Sequence, residues 1–190
     1  MSHKNVLQIA LLLALSWLWM MIVHESGHVL LGVLTGGKIA KVVLHPLELS
    51  RTDLSFNPHP LAVAWGGPAF GCVLPLLLWA AWKFASARGL QLVQWFSGFC
   101  LIANGVYIGS GAFPRIGDAE EMLSHGSEAW ILIVFGVVTI PAGFLLWNGL
   151  GKRFGIGEHA ETASTSAILT CAVLLLATVA GELVATAVSS

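Results

Sequence analysis

The sequence predicts an all-α integral membrane protein with about five transmembrane helices and a short membrane-associated β-hairpin between the first two. The 190 residues are 56% hydrophobic and only 10% charged, a composition outside the range of ordinary soluble domains. A helix needs about 20 apolar residues to cross the hydrocarbon core of a bilayer. Five segments of the chain meet this requirement: residues 6–34, 61–82, 90–113, 129–150 and 163–188.

The first span contains a metal-binding pattern, with His24, Glu25 and His28 in the order His-Glu-x-x-His. Residues four apart project from one face of a helix, so His24 and His28 can hold one Zn²⁺ while Glu25 lies beside it. Three protein ligands leave a fourth zinc position for water, whose pKa falls to about 7. The pattern therefore predicts a zinc hydrolase in which Glu25 is the base. The alternative is two histidines that fill polar gaps between packed helices.

The membrane setting favours the functional interpretation of this pattern. An uncompensated Glu in hydrocarbon costs on the order of 3 kcal/mol on insertion scales, and ionisable residues inside spans usually mark function. We therefore expect Glu25 to have a catalytic role.

The segment between the first two spans is the most polar part of the chain. Residues 38–44 and 48–54 alternate between apolar and polar side chains and flank His45-Pro46, which predicts two short strands joined by a turn. An exposed strand edge there would accept an extended peptide as an additional strand. A disordered polar loop is the alternative.

Small residues mark predicted helix contacts in the second and third spans. Gly66 and Gly67 lie early in the second span, and Gly105 and Gly109 are four residues apart in the third. In lipid, such residues let helix backbones approach closely, so we expect them at helix interfaces.

The overall composition and net charge limit the classes of binding partner that the sequence predicts. We interpret residues 1–190 as a single polytopic membrane domain, with a catalytic core at about 6–125 and C-terminal helices within 129–190. A net charge of −1 offers no basic surface for a phosphate backbone, so we expect no nucleic-acid partner. The expected partner is the lipid bilayer, and the oligomeric state stays open.

A catalytic zinc site needs a third protein ligand, and Asp118 is the principal candidate. The first and third spans run in the same direction, so a chain that folds back after residue 113 brings Asp118 to the depth of the histidines. An Asp near a helix start is often a capping residue instead. The competing ligands are Glu120, Glu121, His125, His45 and His59.

These residues together resemble the site-2 protease family of intramembrane zinc metalloproteases. The likeness covers about residues 12–123 and rests on His24-Glu25-Ser26-Gly27-His28, on Gly67-Pro68-Ala69 and on an Asp after a proline-containing break. The sequence is most similar to compact members that lack an inserted peptide-binding domain. The resemblance implies one Zn²⁺ per chain, held by His24, His28 and Asp118, with Glu25 as the catalytic residue.

The Asp118 segment departs from the pattern of that family. Typical members place an Asn and two prolines ahead of an Asp-Gly pair, whereas here Gly117 precedes Asp118 and Ala119 follows it, with Ser110 at the expected position of the Asn. Asn104 is the nearby Asn. It has two interpretations, an interhelical hydrogen bond or polarisation of the scissile carbonyl.

The resemblance implies hydrolysis of peptide bonds in or near the transmembrane segments of membrane proteins. It also implies a multi-pass protein of a prokaryotic cytoplasmic membrane with its site near the cytosolic face, although the basic residues divide five against four between the two sides and do not decide the orientation. The alternatives are a membrane zinc-binding protein or transporter, an inactive homologue that acts as an interaction partner, a CAAX-type metalloprotease and a di-iron hydroxylase. In the CAAX-type alternative the third ligand would be Glu158, His159 or Glu161.

Overall fold

The computed structural model describes residues 2–86, 88–154 and 161–189. Within these residues, five of the helices are long and apolar enough to cross a membrane, and a two-stranded antiparallel hairpin lies between the first two. The predicted fold class is therefore confirmed. In chain order the elements are α1 (His3–Leu34), β1 (Lys38–Val43), β2 (Arg51–Phe56), α2 (Pro60–Phe84), α3 (Leu90–Gly111), the short α4 (Gly117–Ser124), α5 (Ala129–Trp147) and α6 (Thr165–Ser189).

The first helix begins and ends at recognisable signals. The hydroxyl of Ser2 accepts a hydrogen bond from the Asn5 backbone N–H at 3.3 Å, which caps the helix start. At the other end, Gly36 has a φ of +80°, a conformation that suits glycine and stops the helix. The 32 residues of α1 make a helix about 48 Å long, which exceeds the roughly 30 Å hydrocarbon thickness.

Glycines at the helix crossings bring backbones into contact, as predicted for the small residues. A Cβ on Gly66 of α2 would lie 2.6 Å from the carbonyl oxygen of Gly27 of α1. A Cβ on Gly136 of α5 would lie 2.8 Å from the carbonyl oxygen of Gly105 of α3. Both approaches are closer than any larger residue allows, so these glycines set the spacing of the bundle.

The hairpin differs from its prediction at the start of the second strand. Val43 pairs with Arg51, so β2 begins at Arg51 rather than at residue 48, and residues 44–50 form a longer connection than His45-Pro46 alone. Ser50 belongs to this connection, directly before β2, and its hydroxyl donates to Glu25 of α1.

Helix α6 runs along α1 in the same direction. Near the start of both helices, Lys4 donates to the hydroxyl of Thr165 at 3.3 Å. Near the end of α6, the hydroxyl of Thr186 donates to the carbonyl oxygen of Leu44 at 3.0 Å. The hairpin and α4 therefore lie at the same end of the bundle, where α1, α3 and α6 end and α2 begins.

Candidate metal centre

Three side chains converge at this end of the bundle. The Nε2 atoms of His24 and His28 are 3.1 Å apart. The carboxylate oxygen Oδ2 of Asp118 lies 2.8 Å from Nε2 of His24 and 3.2 Å from Nε2 of His28. Both histidines are 6% exposed, so the convergence point is largely shielded from bulk water. This buried group can hold a metal ion.

The other ring nitrogen of each histidine fixes the tautomer. Nδ1 of His28 donates to the carbonyl oxygen of Val63 at 2.7 Å. Nδ1 of His24 lies 2.7 Å from Oδ1 of Asn104, whose Nδ2 donates to the carbonyl oxygen of Cys100. Because both Nδ1 atoms are donors, both Nε2 atoms carry lone pairs directed at the Asp118 carboxylate.

Three hydrogen-bond acceptors at this separation need a positive charge between them. That charge comes from a metal ion or from a proton on an imidazole. Two neutral imidazoles and one carboxylate are a ligand set that zinc binds, and a metal-bound histidine usually donates a hydrogen bond from its other ring N–H, as Nδ1 does here. The residues therefore fit a divalent transition metal.

Asp118 reaches the histidines because the chain folds back after α3. Asp118 lies in the first turn of α4, and its backbone N–H donates to the hydroxyl of Tyr107 at 3.1 Å. Burial raises the pKa of the Asp118 carboxyl, but its interactions with the His24 and His28 rings outweigh burial and hold that pKa well below its usual range. Asp118 is therefore an anionic ligand at neutral pH.

Glu25 is buried beside this group and is held by the hairpin. It is 3% exposed. The hydroxyl of Ser50 donates to Oε1 at 2.7 Å, and that of Thr52 donates to Oε2 at 2.8 Å. Glu25 borders the same cavity as the histidines and Asp118, a space of about 650 Å³.

Gly67 closes the site from α2. A Cβ at this position would lie 2.5 Å from Nε2 of His24 and would overlap Nε2 of His28. Gly67 therefore lies at a helix interface, as predicted. Its lack of a side chain leaves the space in which the two Nε2 atoms approach each other.

The competing third ligands lie elsewhere. The Glu121 carboxylate borders the cavity but lies 3.5 Å from His125, and His45 lies 3.9 Å from Glu48. His59 and Glu120 are exposed. Glu158 and His159 lie outside the described residues, and the backbone of Glu161 contacts Asn5 near the start of α1, far from the histidines.

Asn104 has the first of its two predicted roles. Its amide links α3 to His24 of α1 and is 1% exposed, which makes it an interhelical hydrogen-bonding residue. Sequence reasoning missed Ser50, Thr52 and Tyr107 as members of the site. A hydroxyl-bearing strand beside a buried Glu is the signal that would have pointed to the first two.

Comparison of the chain with protein-family models, with curated proteins and with solved structures gives no match.

Proposed function

We propose that this protein is a zinc-dependent intramembrane metalloprotease that hydrolyses peptide bonds in or near transmembrane segments of membrane proteins. The observation that carries the proposal is the convergence of His24, His28 and Asp118 beside a buried Glu25 in one cavity of a five-span bundle. The resemblance of the His-Glu-x-x-His segment to the site-2 protease family supports the same conclusion.

The chemistry divides between the metal and Glu25. A zinc ion held by His24, His28 and Asp118 would polarise the scissile carbonyl and lower the pKa of a bound water. The Glu25 carboxylate accepts the proton released by the attacking water and delivers it to the nitrogen of the leaving amine. Asn104 and the Val63 carbonyl keep both histidines in the tautomer that leaves Nε2 free to bind.

The walls of the cavity suit a peptide that passes from membrane to water. On one side the cavity borders Trp17, Met20 and Met21 of α1, which are apolar, and on the other it borders Arg51 and Asp53 of the hairpin. An apolar substrate helix would pack against the first surface.

The hairpin offers a way to hold the unwound part of the substrate. Residues of β2 line the cavity and those of β1 do not. In the described residues the sheet has two strands, so β2 has an edge free for another strand. A substrate segment added there would present an extended peptide bond beside Glu25.

Metal content tests the ligand assignment. Detergent-purified wild type, His24→Ala, Glu25→Gln and Asp118→Ala are compared by elemental mass spectrometry without chelators. The proposal expects about one zinc per chain in wild type and in Glu25→Gln, and large losses in the two ligand variants. Wild type without bound metal would overturn the proposal.

Cleavage tests the reaction. The substrate is a panel of single-span peptides that carry a fluorophore and a quencher, with Gly or Asn residues placed to loosen the helix near one membrane face. The proposal expects cleavage by reconstituted wild type and none by Glu25→Gln. Equal cleavage by the two proteins would exclude Glu25 as the base.

A further inference from the structure

We propose that Ser50 and Thr52 are positioning residues that hold the Glu25 carboxylate ready to act as the base. Strand β2, which carries Thr52 and begins directly after Ser50, would also receive the substrate, so the position of the hairpin on α1 would control the rate of the chemical step. This inference rests on the proposed function and adds residues to it.

The two hydroxyls hold the carboxylate at both ends. Ser50 donates to Oε1 and Thr52 donates to Oε2, at 2.7 and 2.8 Å, distances typical of well-formed O–H···O hydrogen bonds. Two donors on different oxygens fix the plane of the carboxylate as well as its position. A Glu side chain has several rotatable bonds and loses this order when the donors are removed.

Successive side chains of residues 50–53 point to alternate faces. The Ser50 and Thr52 hydroxyls therefore lie on one face and the charged Arg51 and Asp53 on the other. Residues two apart lie on one face of an extended chain, and Ser50 and Thr52 both point to α1. Arg51 and Asp53 lie between and after them, are exposed, and pair with each other at 3.3 Å. One face of this segment therefore contacts Glu25, while Arg51 and Asp53 on the other face are exposed and also border the cavity.

The hairpin also packs against α1 at positions outside the metal centre. A Cβ on Gly32 of α1 would lie 3.0 Å from Cδ1 of Ile39 and 3.2 Å from Cδ2 of Leu54, so both strands pack on the helix. A shift of the hairpin away from α1 withdraws both hydroxyls from Glu25 together.

Substrate binding and base positioning would therefore share one strand. A peptide added to β2 would use its main-chain groups, while the Thr52 side chain keeps its bond to Glu25. Loss of the hydroxyls leaves the main chain available to the peptide. The effect is expected in kcat, with KM nearly unchanged.

The experiment compares Thr52→Val, which keeps the shape of the side chain, with Thr52→Ser, which keeps the hydroxyl. Ser50→Ala and the Ser50→Ala/Thr52→Val double variant are measured beside them. Ser55→Ala is the matched control because the Ser55 hydroxyl bonds to the carbonyl oxygen of Lys38 within the hairpin. The assay uses the fastest-cleaved peptide of the panel and zinc content from elemental mass spectrometry.

We expect kcat to fall about 10-fold in Thr52→Val and about 100-fold in the double variant, part of the 10²–10⁴ that general acid–base catalysis supplies. Zinc content and KM stay within about twofold of wild type, and Thr52→Ser and Ser55→Ala keep kcat within about threefold.

Equal kcat in wild type and Thr52→Val would overturn the positioning role, as would a Thr52→Ser that falls as far as Thr52→Val or an effect confined to KM. If the double variant fails to accumulate, the Thr52→Val and Thr52→Ser pair decides. Wild type that holds no zinc or cleaves no peptide overturns the proposed function and this inference together. Active wild type with an equal kcat in Thr52→Val overturns this inference alone.

Discussion

Two cavities of similar size lie on opposite sides of α1, and they differ in the polarity of the residues that border them. The candidate metal centre opens into a space of about 650 Å³, and a second space of about 780 Å³ lies between α1, α2, α3 and α6. The first is bordered by Met20, His24 and His28 of α1, and the second by Leu12, Trp19 and Val23. These two sets follow separate helical stripes of the same helix.

The difference lies in how polar groups are satisfied. In the metal-centre cavity, Glu25 and both histidines are buried, and each has a hydrogen-bond partner from another element. Among the described residues, the second cavity is bordered by apolar side chains with a few hydroxyl and amide groups and by no charged side chain. One face of α1 therefore carries polar side chains that need hydrogen-bond partners from other elements. The opposite face carries mainly apolar side chains that do not.

The largest expected effect comes from filling the space where the ligand nitrogens meet. In Gly67→Ala the added methyl group overlaps both Nε2 atoms, so we expect loss of zinc and a fall in cleavage of about 1000-fold or more. Gly181→Ala on α6 is the control, because nothing lies within 4 Å of a Cβ there. Zinc retained by Gly67→Ala would show that the ligands can move aside.

We expect removal of the metal to make the backbone of α4 more mobile and to leave α6 unchanged. Asp118 ties α4 to α1 through the histidines, and a ligand at 100 times its Kd stabilises the bound state by about 2.7 kcal/mol. Chelation should therefore speed amide hydrogen exchange in Gly117–Ser124 by up to about 100-fold. Exchange in α6 should not change. Equal acceleration in both helices would contradict the separation of the two faces.

Asn104 is expected to have a smaller effect through His24. Asn104→Ala leaves the Nδ1–H of His24 without its acceptor, and loss of such a partner typically lowers metal affinity by about 10- to 100-fold. Competition with a zinc chelator measures the change. Asn104→Asp keeps an acceptor oxygen and should stay nearer to wild type; if both variants bind zinc as wild type does, His24 needs no orienting partner.

The smallest effect is expected in the second cavity. Ala167→Phe adds a ring to that space and should change zinc content and cleavage by no more than about twofold, because the cavity is apolar and lies across α1 from the site. Ala103→Phe makes the same change beside the metal-centre cavity and should raise KM several-fold. If Ala167→Phe and Ala103→Phe changed cleavage and KM equally, the functional distinction between the two cavities would be wrong.

The five spans and the hairpin were predictable because each depends on the composition of a continuous segment. The His24, Glu25 and His28 pattern was visible for the same reason, since one helical turn brings these residues together. Asp118 was the principal candidate but had both acidic and histidine competitors, because its distance from the histidines depends on the fold-back after α3. The bonds from Ser50 and Thr52 to Glu25 depend on where β2 begins, and the alternation of the strand did not reveal that starting point.

The spacing of these contacts along the chain has a consequence for biosynthesis. The partners of Glu25 lie 25 and 27 residues after it, and the partner of His28 lies 35 residues after it. Asn104 and Asp118 follow His24 by 80 and 94 residues. A ribosome that makes the chain from its N-terminus supplies the hairpin and the start of α2 first. The nascent first span can thus enter the bilayer paired with them, and the metal centre is completed only after α4, which carries Asp118, has left the ribosome.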